Sequence, residues 1–140
     1  MTRKASAVWQ GDLKAGKGAV STASGVLKDT QYSFSTRFEN GVGTNPEELI
    51  AAAHAGCFSM ALSAELGKAG ITPDKIETTA TLTMDKIEAG WTVTAIHLDT
   101  KATIPNGDRA KFEAAANGAK AGCPISRLLN TKITLDAKLA

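Results

Sequence analysis

The feature that most constrains this 140-residue chain is a segment that is apolar on nearly every side. Between Leu49 and Ala64, His54 is the only residue of a basic or acidic type, and alanine is the commonest residue. A helix that is apolar all round cannot lie on a surface with one face in water. We therefore predict a long helix that is buried on most sides, either in the centre of the fold or against a second subunit.

Both ends of this segment carry local helix signals. Asn45 is typical of an N-cap, Pro46 is typical of the first helical position, and Glu48 is placed to close a capping box. Downstream, Gly70 is typical of a C-cap and Pro73 of the chain just beyond one. Together these signals predict that the helix begins near residue 46 and ends near residue 68.

The other segments predict separate strands and helices. Residues 32–38 alternate aromatic and polar side chains, which predicts a strand with Arg37 on its polar face. The order βββ-α-ββ-α-β predicts an α+β fold with antiparallel sheet, in a single domain over residues 1–140, and not a Rossmann arrangement. Further strands are predicted over residues 5–10, 19–22, 75–87, 91–104 and 131–139, and helices over residues 108–121 and 123–129.

Composition excludes several function classes. Sixteen basic and fourteen acidic residues give a net charge of +2 with no run of one sign, so we expect no nucleic-acid surface. We expect no membrane span, because no apolar stretch reaches about 20 residues. The charged N-terminus leads into no hydrophobic signal region, so we expect a cytoplasmic location. Residues 11–17 begin like a P-loop, but Gly18 stands where a magnesium-binding hydroxyl is required.

One pattern resembles part of a metal site. His54 and Cys57 lie three residues apart on one helical face, and Cys123 or His97 could add a further ligand. Zinc sites usually draw on two close-spaced pairs of ligands, and this chain offers one such pair. The pattern is more typical of a core histidine beside a buried cysteine, so we predict no metal.

The two cysteines, Cys57 and Cys123, have different local settings. Cys57 lies in the middle of the apolar helix, a setting typical of a small buried hydrophobic residue. Cys123 lies between Gly122 and Pro124, at a predicted N-cap where backbone N–H groups and the helix dipole favour a thiolate. Local chemistry alone therefore favours Cys123 as a nucleophile. A redox pair and two structural cysteines both remain open on this basis.

Longer motifs resemble one known family. The helix and its cap, residues 44–62, read TNPEELIAAAHAGCFSMAL, and residues 119–126 read AKAGCPIS. These segments resemble the two cysteine motifs of the OsmC/Ohr family, the osmotically inducible and organic hydroperoxide resistance proteins. Residues 36–38, with Arg37 at their centre, and the N-terminal segments 9–13 and 16–18 resemble the OsmC branch. The likeness extends from about residue 5 to residue 139.

The resemblance implies a thiol peroxidase that reduces organic hydroperoxides, and hydrogen peroxide less well, in oxidative and osmotic stress. It implies that Cys57 attacks the peroxide, that Cys123 resolves, and that Arg37 and Glu47 complete the site. It further implies an intertwined homodimer in which antiparallel sheets wrap central cysteine-bearing helices, with active sites at the subunit interface. No cofactor is implied, and the expected reductant is a dithiol of the dihydrolipoamide type or a lipoylated protein.

The chemistry of Cys57 conflicts in part with that role. Burial in a helix raises the pKa of a thiol, so a cation must reach Cys57, and Arg37 is the best candidate because a guanidinium stays charged when buried. Ten residues of helix rise about 15 Å, so Glu47 cannot touch Cys57 of its own helix. We expect Glu47 to position Arg37, through a folded-back strand or from the partner subunit. The plainer alternatives are a solvated Arg37 and a Glu47 that only complements the helix dipole.

The expected substrate preference follows from apolar residues around Cys57, where Phe58 and Met60 would suit an alkyl group.

A different class of function stays open beside the enzyme. In that alternative the chain is a non-catalytic dimeric protein that binds a small apolar ligand, and both cysteines are structural.

Overall fold

The computed structural model describes residues 1–140, which form six strands and four α-helices. Contacts divide the chain into two compact units, Met1–Leu49 and Ile50–Ala140. The strands are β1 (Ala5–Gln10), β2 (Lys17–Thr22), β3 (Thr30–Tyr32), β4 (Lys75–Ile87), β5 (Gly90–Thr103) and β6 (Lys132–Leu139). The helices are α1 (Phe34–Phe38), α2 (Pro46–Lys68), α3 (Arg109–Gly122) and α4 (Pro124–Leu128), with a 3-10 turn at Pro105–Gly107.

The first unit contains a three-stranded antiparallel sheet in the order β1-β2-β3, which confirms the two strands predicted first along the chain. Gly18 on β2 lies opposite Trp9 on β1 and Tyr32 on β3. The two rings approach to 5.6 Å between centroids, and a Cβ atom at Gly18 would clash with both. The glycine therefore allows two aromatic rings to meet across the sheet.

The strand predicted over residues 32–38 is wrong, because most of this segment forms helix α1. Ser33 is its N-cap: the Ser33 hydroxyl accepts from the Thr36 N–H at 3.2 Å, and the Thr36 hydroxyl accepts from the Ser33 N–H at 2.8 Å. Phe34 and Phe38 pack one helical turn apart, with ring centroids at 4.9 Å. Arg37 therefore lies on a short helix, not on the polar face of a strand.

Helix α2 begins and ends where its signals predict. The Asn45 side chain accepts from the Glu48 N–H at 2.8 Å, as an N-cap does. The expected capping box is not closed, since the Glu48 carboxylate instead accepts from the Thr44 hydroxyl at 2.7 Å. At the other end Gly70 has φ 77°, and the Ile71 N–H donates to the Leu66 carbonyl at 2.9 Å. This is a Schellman motif, which glycine favours.

Only one stripe of α2 is buried, formed by His54, Phe58, Leu62 and Leu66. Met60 is 77% exposed, and only 22% of the most apolar 18-residue window is buried. By length and composition alone α2 could cross a membrane, whereas we expected no segment that could. Core helices of other proteins can have the same length and apolar composition. The helix thus keeps a wide apolar face uncovered in the single chain.

The second unit contains a mixed sheet in the order β4-β5-β6. The long hairpin of β4 and β5 is antiparallel, as predicted. Strand β6 is confirmed as a strand but runs parallel to β5, so the expectation of purely antiparallel sheet is wrong. The reason is the crossover through α3 and α4, which returns the chain to the end of the sheet where β5 begins.

The hydrophobic core of this unit joins the buried stripe of α2 to the sheet and to α3. Ser59 of α2 also donates to Thr78 of β4 at 2.8 Å, and Thr78 meets Thr100 of β5 at 2.9 Å. These contacts fix the rotation of α2 about its axis and with it the direction of Cys57. The fully or almost fully buried side chains of the core include Phe58, Leu62, Leu66, Ile96, Leu98 and Phe112.

Candidate active site

The four residues expected at the site form two pairs, one in each unit. In the first unit Arg37 of α1 binds Glu47 in the first turn of α2. Both Arg37 Nε, at 2.7 Å, and Arg37 Nη2, at 2.6 Å, contact Glu47 Oε1. The pair forms within one chain, with the Arg37 side chain 39% exposed and that of Glu47 15% exposed.

This pairing leaves both side chains with unused hydrogen-bonding capacity. Glu47 Oε2 is buried and has no hydrogen-bond partner. A guanidinium has five N–H donors, and only Nε and one Nη2 donor are directed at Glu47. Arg37 is thus held by a carboxylate while it keeps donors for a further acceptor.

A pocket of about 290 Å³ lies beside Arg37 within the first unit. No sequence pattern predicts this pocket, because its aromatic residues lie in segments whose alternation predicts strands. The guanidinium carbon of Arg37 also lies 5.3 Å from the centre of the Phe38 ring. The lining residues include Trp9, Leu13, Tyr32, Phe34, Arg37 and Phe38.

In the second unit the structure brings the two cysteines together. Cys123 is the N-cap of α4, as predicted, and its sulfur accepts from the Ser126 N–H at 3.4 Å. Cys57 of α2 donates a hydrogen bond from its thiol to the Cys123 sulfur. Both are free thiols, and they differ in access: Cys123 is 0% exposed, whereas Cys57 is partly exposed.

The surroundings shift the two thiols in opposite directions. Burial raises the pKa of Cys57, the hydrogen bond to Cys123 raises it further, and the Ile125 N–H acts the other way. Burial also opposes ionisation of Cys123, but hydrogen bonds from Ser126, Cys57 and Ile125 outweigh it and lower the pKa. In the single chain the pair therefore favours a thiolate on Cys123 with Cys57 as the donor.

The structure also gives the contacts of the two histidines and the burial of Phe58. His54 is fully buried and lies 2.7 Å from Ser126 Oγ, which fits a core histidine better than a metal ligand. His97 lies on β5 and contacts Thr134 at 2.6 Å. Phe58 is fully buried in the core, so the expectation that it lines a surface for substrate is wrong.

Comparisons with known proteins show the family of this chain. A family model described as OsmC-like protein matches residues 38–138. The chain belongs to the OsmC family. This OsmC protein is 54% identical to the peroxiredoxin OsmC of Escherichia coli (strain K12) over 137 residues, which cover 98% of this chain and 96% of that protein. It is 32% identical to the organic hydroperoxide resistance protein OhrB of Bacillus subtilis (strain 168), over 87% of each chain.

Solved structures agree on the fold of this OsmC protein. The crystal structure of OhrB from Bacillus subtilis superposes with a TM-score of 0.68 at 26% identity, covering 98% of each chain. An OsmC-like protein of unknown function from Vibrio cholerae gives a TM-score of 0.78 at 16% identity, covering 98% of this chain and 99% of that one. The second likeness shows the fold alone, which is the OsmC-like α+β fold predicted from the sequence.

Proposed function

We propose that this protein is a thiol-dependent peroxidase that reduces organic hydroperoxides, and hydrogen peroxide less well, to alcohols or water. The observation that carries the proposal is the hydrogen-bonded pair of free thiols, Cys57 and Cys123, of which one is accessible and the other buried. Such a pair suits attack on an outside oxidant followed by internal disulfide formation. The names of the OsmC and OhrB relatives support the same chemistry.

The reaction follows from the two sulfurs. The Cys57 thiolate attacks the hydroperoxide, an S–O bond forms, the O–O bond breaks, and the alkoxide takes a proton and leaves as the alcohol. The Cys123 sulfur then attacks the Cys57 sulfenic acid, an S–S bond forms, and the hydroxide leaves as water. A small dithiol, of the dihydrolipoamide type or carried on a lipoylated protein, reduces the disulfide by exchange. No cofactor enters the cycle, and we place it in the cytoplasm.

Access favours Cys57 as the attacking thiol, although its pKa is raised. A peroxide cannot reach the fully buried Cys123 sulfur without rearrangement. Cys57 therefore needs a cation that stabilises its thiolate, and we assign that role to Arg37, with Glu47 as the residue that positions it. The free guanidinium donors also suit the oxygen that develops negative charge.

The pocket beside Arg37 supports an organic substrate. Aromatic walls next to a guanidinium suit a molecule with a carbon group at one end and a peroxide oxygen at the other. We expect cumene hydroperoxide to be consumed faster than hydrogen peroxide under the same conditions. The comparison is a steady-state assay with one dithiol reductant, and equal rates on the two peroxides contradict the preference.

We also propose that residues 1–140 act as one OsmC-like domain within an intertwined homodimer. The support is α2, whose apolar face around Gly56 and Met60 is left uncovered by its own chain. A second copy of α2 would bury this face, since small residues let two helices approach closely and Met60 adapts to irregular gaps.

Met60→Glu is expected to dissociate this dimer, weakening association by about 100-fold or more, because a lone carboxylate would be buried at the interface. Val26→Glu is the matched control, since Val26 is 84% exposed in a turn of the first unit. Sedimentation velocity over a concentration series measures the effect. A wild-type protein that stays monomeric at high concentration, or a dimeric Met60→Glu variant, contradicts the proposed interface.

Mass spectrometry after one equivalent of organic hydroperoxide tests the proposed function. We expect the wild type to lose the mass of two hydrogen atoms as the disulfide forms, and Cys123→Ser to yield a trappable sulfenic acid on Cys57. Unchanged masses in both proteins contradict the peroxidase and support a non-catalytic protein that binds a small apolar ligand.

A further inference from the structure

A buried network behind the cysteines is not used by the proposed cycle. His54 Nε2 lies 2.7 Å from Ser126 Oγ, and both residues are buried. The Ser126 backbone N–H donates to the Cys123 sulfur at 3.4 Å, and the Ser126 hydroxyl, which lies within reach of the same sulfur, helps to lower the pKa of Cys123. Helices α2 and α4 are thus joined twice, through the two thiols and through the pair of His54 and Ser126.

The direction of these hydrogen bonds follows from the donors available. A hydroxyl has one proton, and when Cys123 is a thiolate, which can only accept, the Ser126 hydroxyl donates that proton to the sulfur. The Ser126 oxygen must then accept from His54, so the proton of a neutral imidazole lies on Nε2. This leaves His54 Nδ1 as an unprotonated acceptor, and it has no hydrogen-bond partner. Burial lowers the pKa of His54, which keeps the ring neutral.

We propose that His54 and Ser126 form a relay of donors that holds the Cys123 sulfur as a thiolate aimed at Cys57, and so speeds the resolving step. The proposal rests on the proposed function, in which Cys123 resolves. Ser126 acts directly on the reacting sulfur, whereas His54 is a positioning residue that acts through Ser126.

The relay assists one balanced step. The Cys123 thiolate donates an electron pair to the sulfur of the Cys57 sulfenic acid, the S–S bond forms and the S–O bond breaks. The departing hydroxide takes a proton and becomes water. The relay speeds this step because it raises the fraction of Cys123 that is thiolate by more than it lowers the nucleophilicity of each thiolate. No oxidant or reductant beyond the hydroperoxide already consumed is required.

The first test isolates the Cys123 thiol. The chain has only two cysteines, so Cys57→Ala leaves one thiol to titrate. Its thiolate absorbance is followed against pH in this background, with Ser126→Ala, His54→Leu or His54→Gln added. We expect the titration midpoint to rise with Ser126→Ala and His54→Leu and to return with His54→Gln, which keeps an N–H donor at the ε position. Besides Cys123 itself, the titratable side chains of the native network are His54 and Cys57, and this background removes Cys57.

The second test measures the resolving step in the otherwise native protein. We expect Ser126→Ala to slow disulfide formation about 10-fold, as the loss of a hydrogen bond to a charged group implies, so that the sulfenic acid accumulates. Ser21→Ala is the matched control, since its hydroxyl bonds to Asp29 in the first unit and to neither cysteine. A titration midpoint unmoved by Ser126→Ala, or equal effects of His54→Leu and His54→Gln, overturns the relay.

Failure of the relay and failure of the proposed function give different results. If organic hydroperoxide produces neither the disulfide in the wild type nor a sulfenic acid in Cys123→Ser, the proposed function fails, and the titration of Cys57→Ala still decides whether the relay exists. If sulfenic acid forms and the titration midpoints do not respond to Ser126 or His54, the peroxidase stands and the relay is overturned.

Discussion

Cys57→Ser is expected to abolish dithiol-driven peroxide consumption, with a loss of about 1,000-fold or more. A serine hydroxyl remains protonated where a thiol ionises, and it forms no sulfenic acid. The change is small in volume, and the side chain is partly exposed, so the fold should persist. Peroxide loss in a steady-state assay measures activity, and thermal unfolding of the same sample confirms that the variant is folded.

Cys123→Ser is the informative comparison. We expect it to retain the first turnover, because Cys57 still reacts with peroxide, and to lose sustained turnover through overoxidation of the stranded sulfenic acid. Rapid-quench measurement of the first equivalent separates the two steps. The opposite pattern, in which Cys57→Ser completes the first turnover and Cys123→Ser does not, reverses the two roles. The lowered pKa of Cys123 makes this a real alternative to exclude.

The parts of the fold that follow local rules were predictable from sequence. Asn45 and Cys123 cap the helices that follow them, and Gly70 ends α2, because each signal acts within a few residues. The strand prediction for residues 32–38 was wrong because side chains four apart, such as Phe34 and Phe38, share a face in a strand and also in a helix. The two reciprocal hydrogen bonds between Ser33 and Thr36 favour the helix, because they cap its first turn.

The direction of β6 and the proximity of the two cysteines depend on tertiary structure and not on local sequence. No local pattern states whether β6 runs parallel or antiparallel to β5, since either direction presents the same alternating face. Cys57 and Cys123 are far apart in sequence, and only the packing of α4 near α2 brings the two sulfurs together. The resemblance to the OsmC family predicted that the two cysteines act as a pair, whereas the residues alone did not distinguish a redox pair from two structural cysteines. The contact of His54 with Ser126 had no sequence signal.

Arg37→Ala is expected to slow formation of the Cys57 sulfenic acid by about 100- to 1,000-fold, the usual effect of removing one donor that stabilises a developing anion. Arg37→Lys should recover part of the rate, because a lysine keeps the charge but loses the forked geometry that contacts Glu47. Stopped-flow measurement of the first turnover reports this step without interference from the resolving cysteine.

A matched control separates this effect from the general loss of a surface ion pair. Arg109 pairs with Glu113 at 3.8 Å on the exposed face of α3, so Arg109→Ala removes a comparable charge elsewhere. Surface pairs of this kind contribute about 0–1 kcal/mol to stability. We expect Arg109→Ala to leave the first-turnover rate unchanged. Glu47→Gln should slow it about 10-fold, because the amide oxygen still accepts from Arg37 but holds it less firmly.

The pH dependence of the first-turnover rate distinguishes two roles of Arg37, stabilisation of the Cys57 thiolate and stabilisation of the peroxide oxygen. Burial and Cys123 already raise the pKa of Cys57, and the thiolate is the reactive form, so the first-turnover rate falls as the pH drops below that pKa. If Arg37 stabilises the thiolate, Arg37→Ala raises this pKa further, and the acid limb of the pH profile moves to higher pH. If Arg37 acts only on the peroxide oxygen, the rate falls at every pH and the limb stays in place. An unchanged rate and an unchanged limb would instead leave the Arg37–Glu47 pair with a purely structural role.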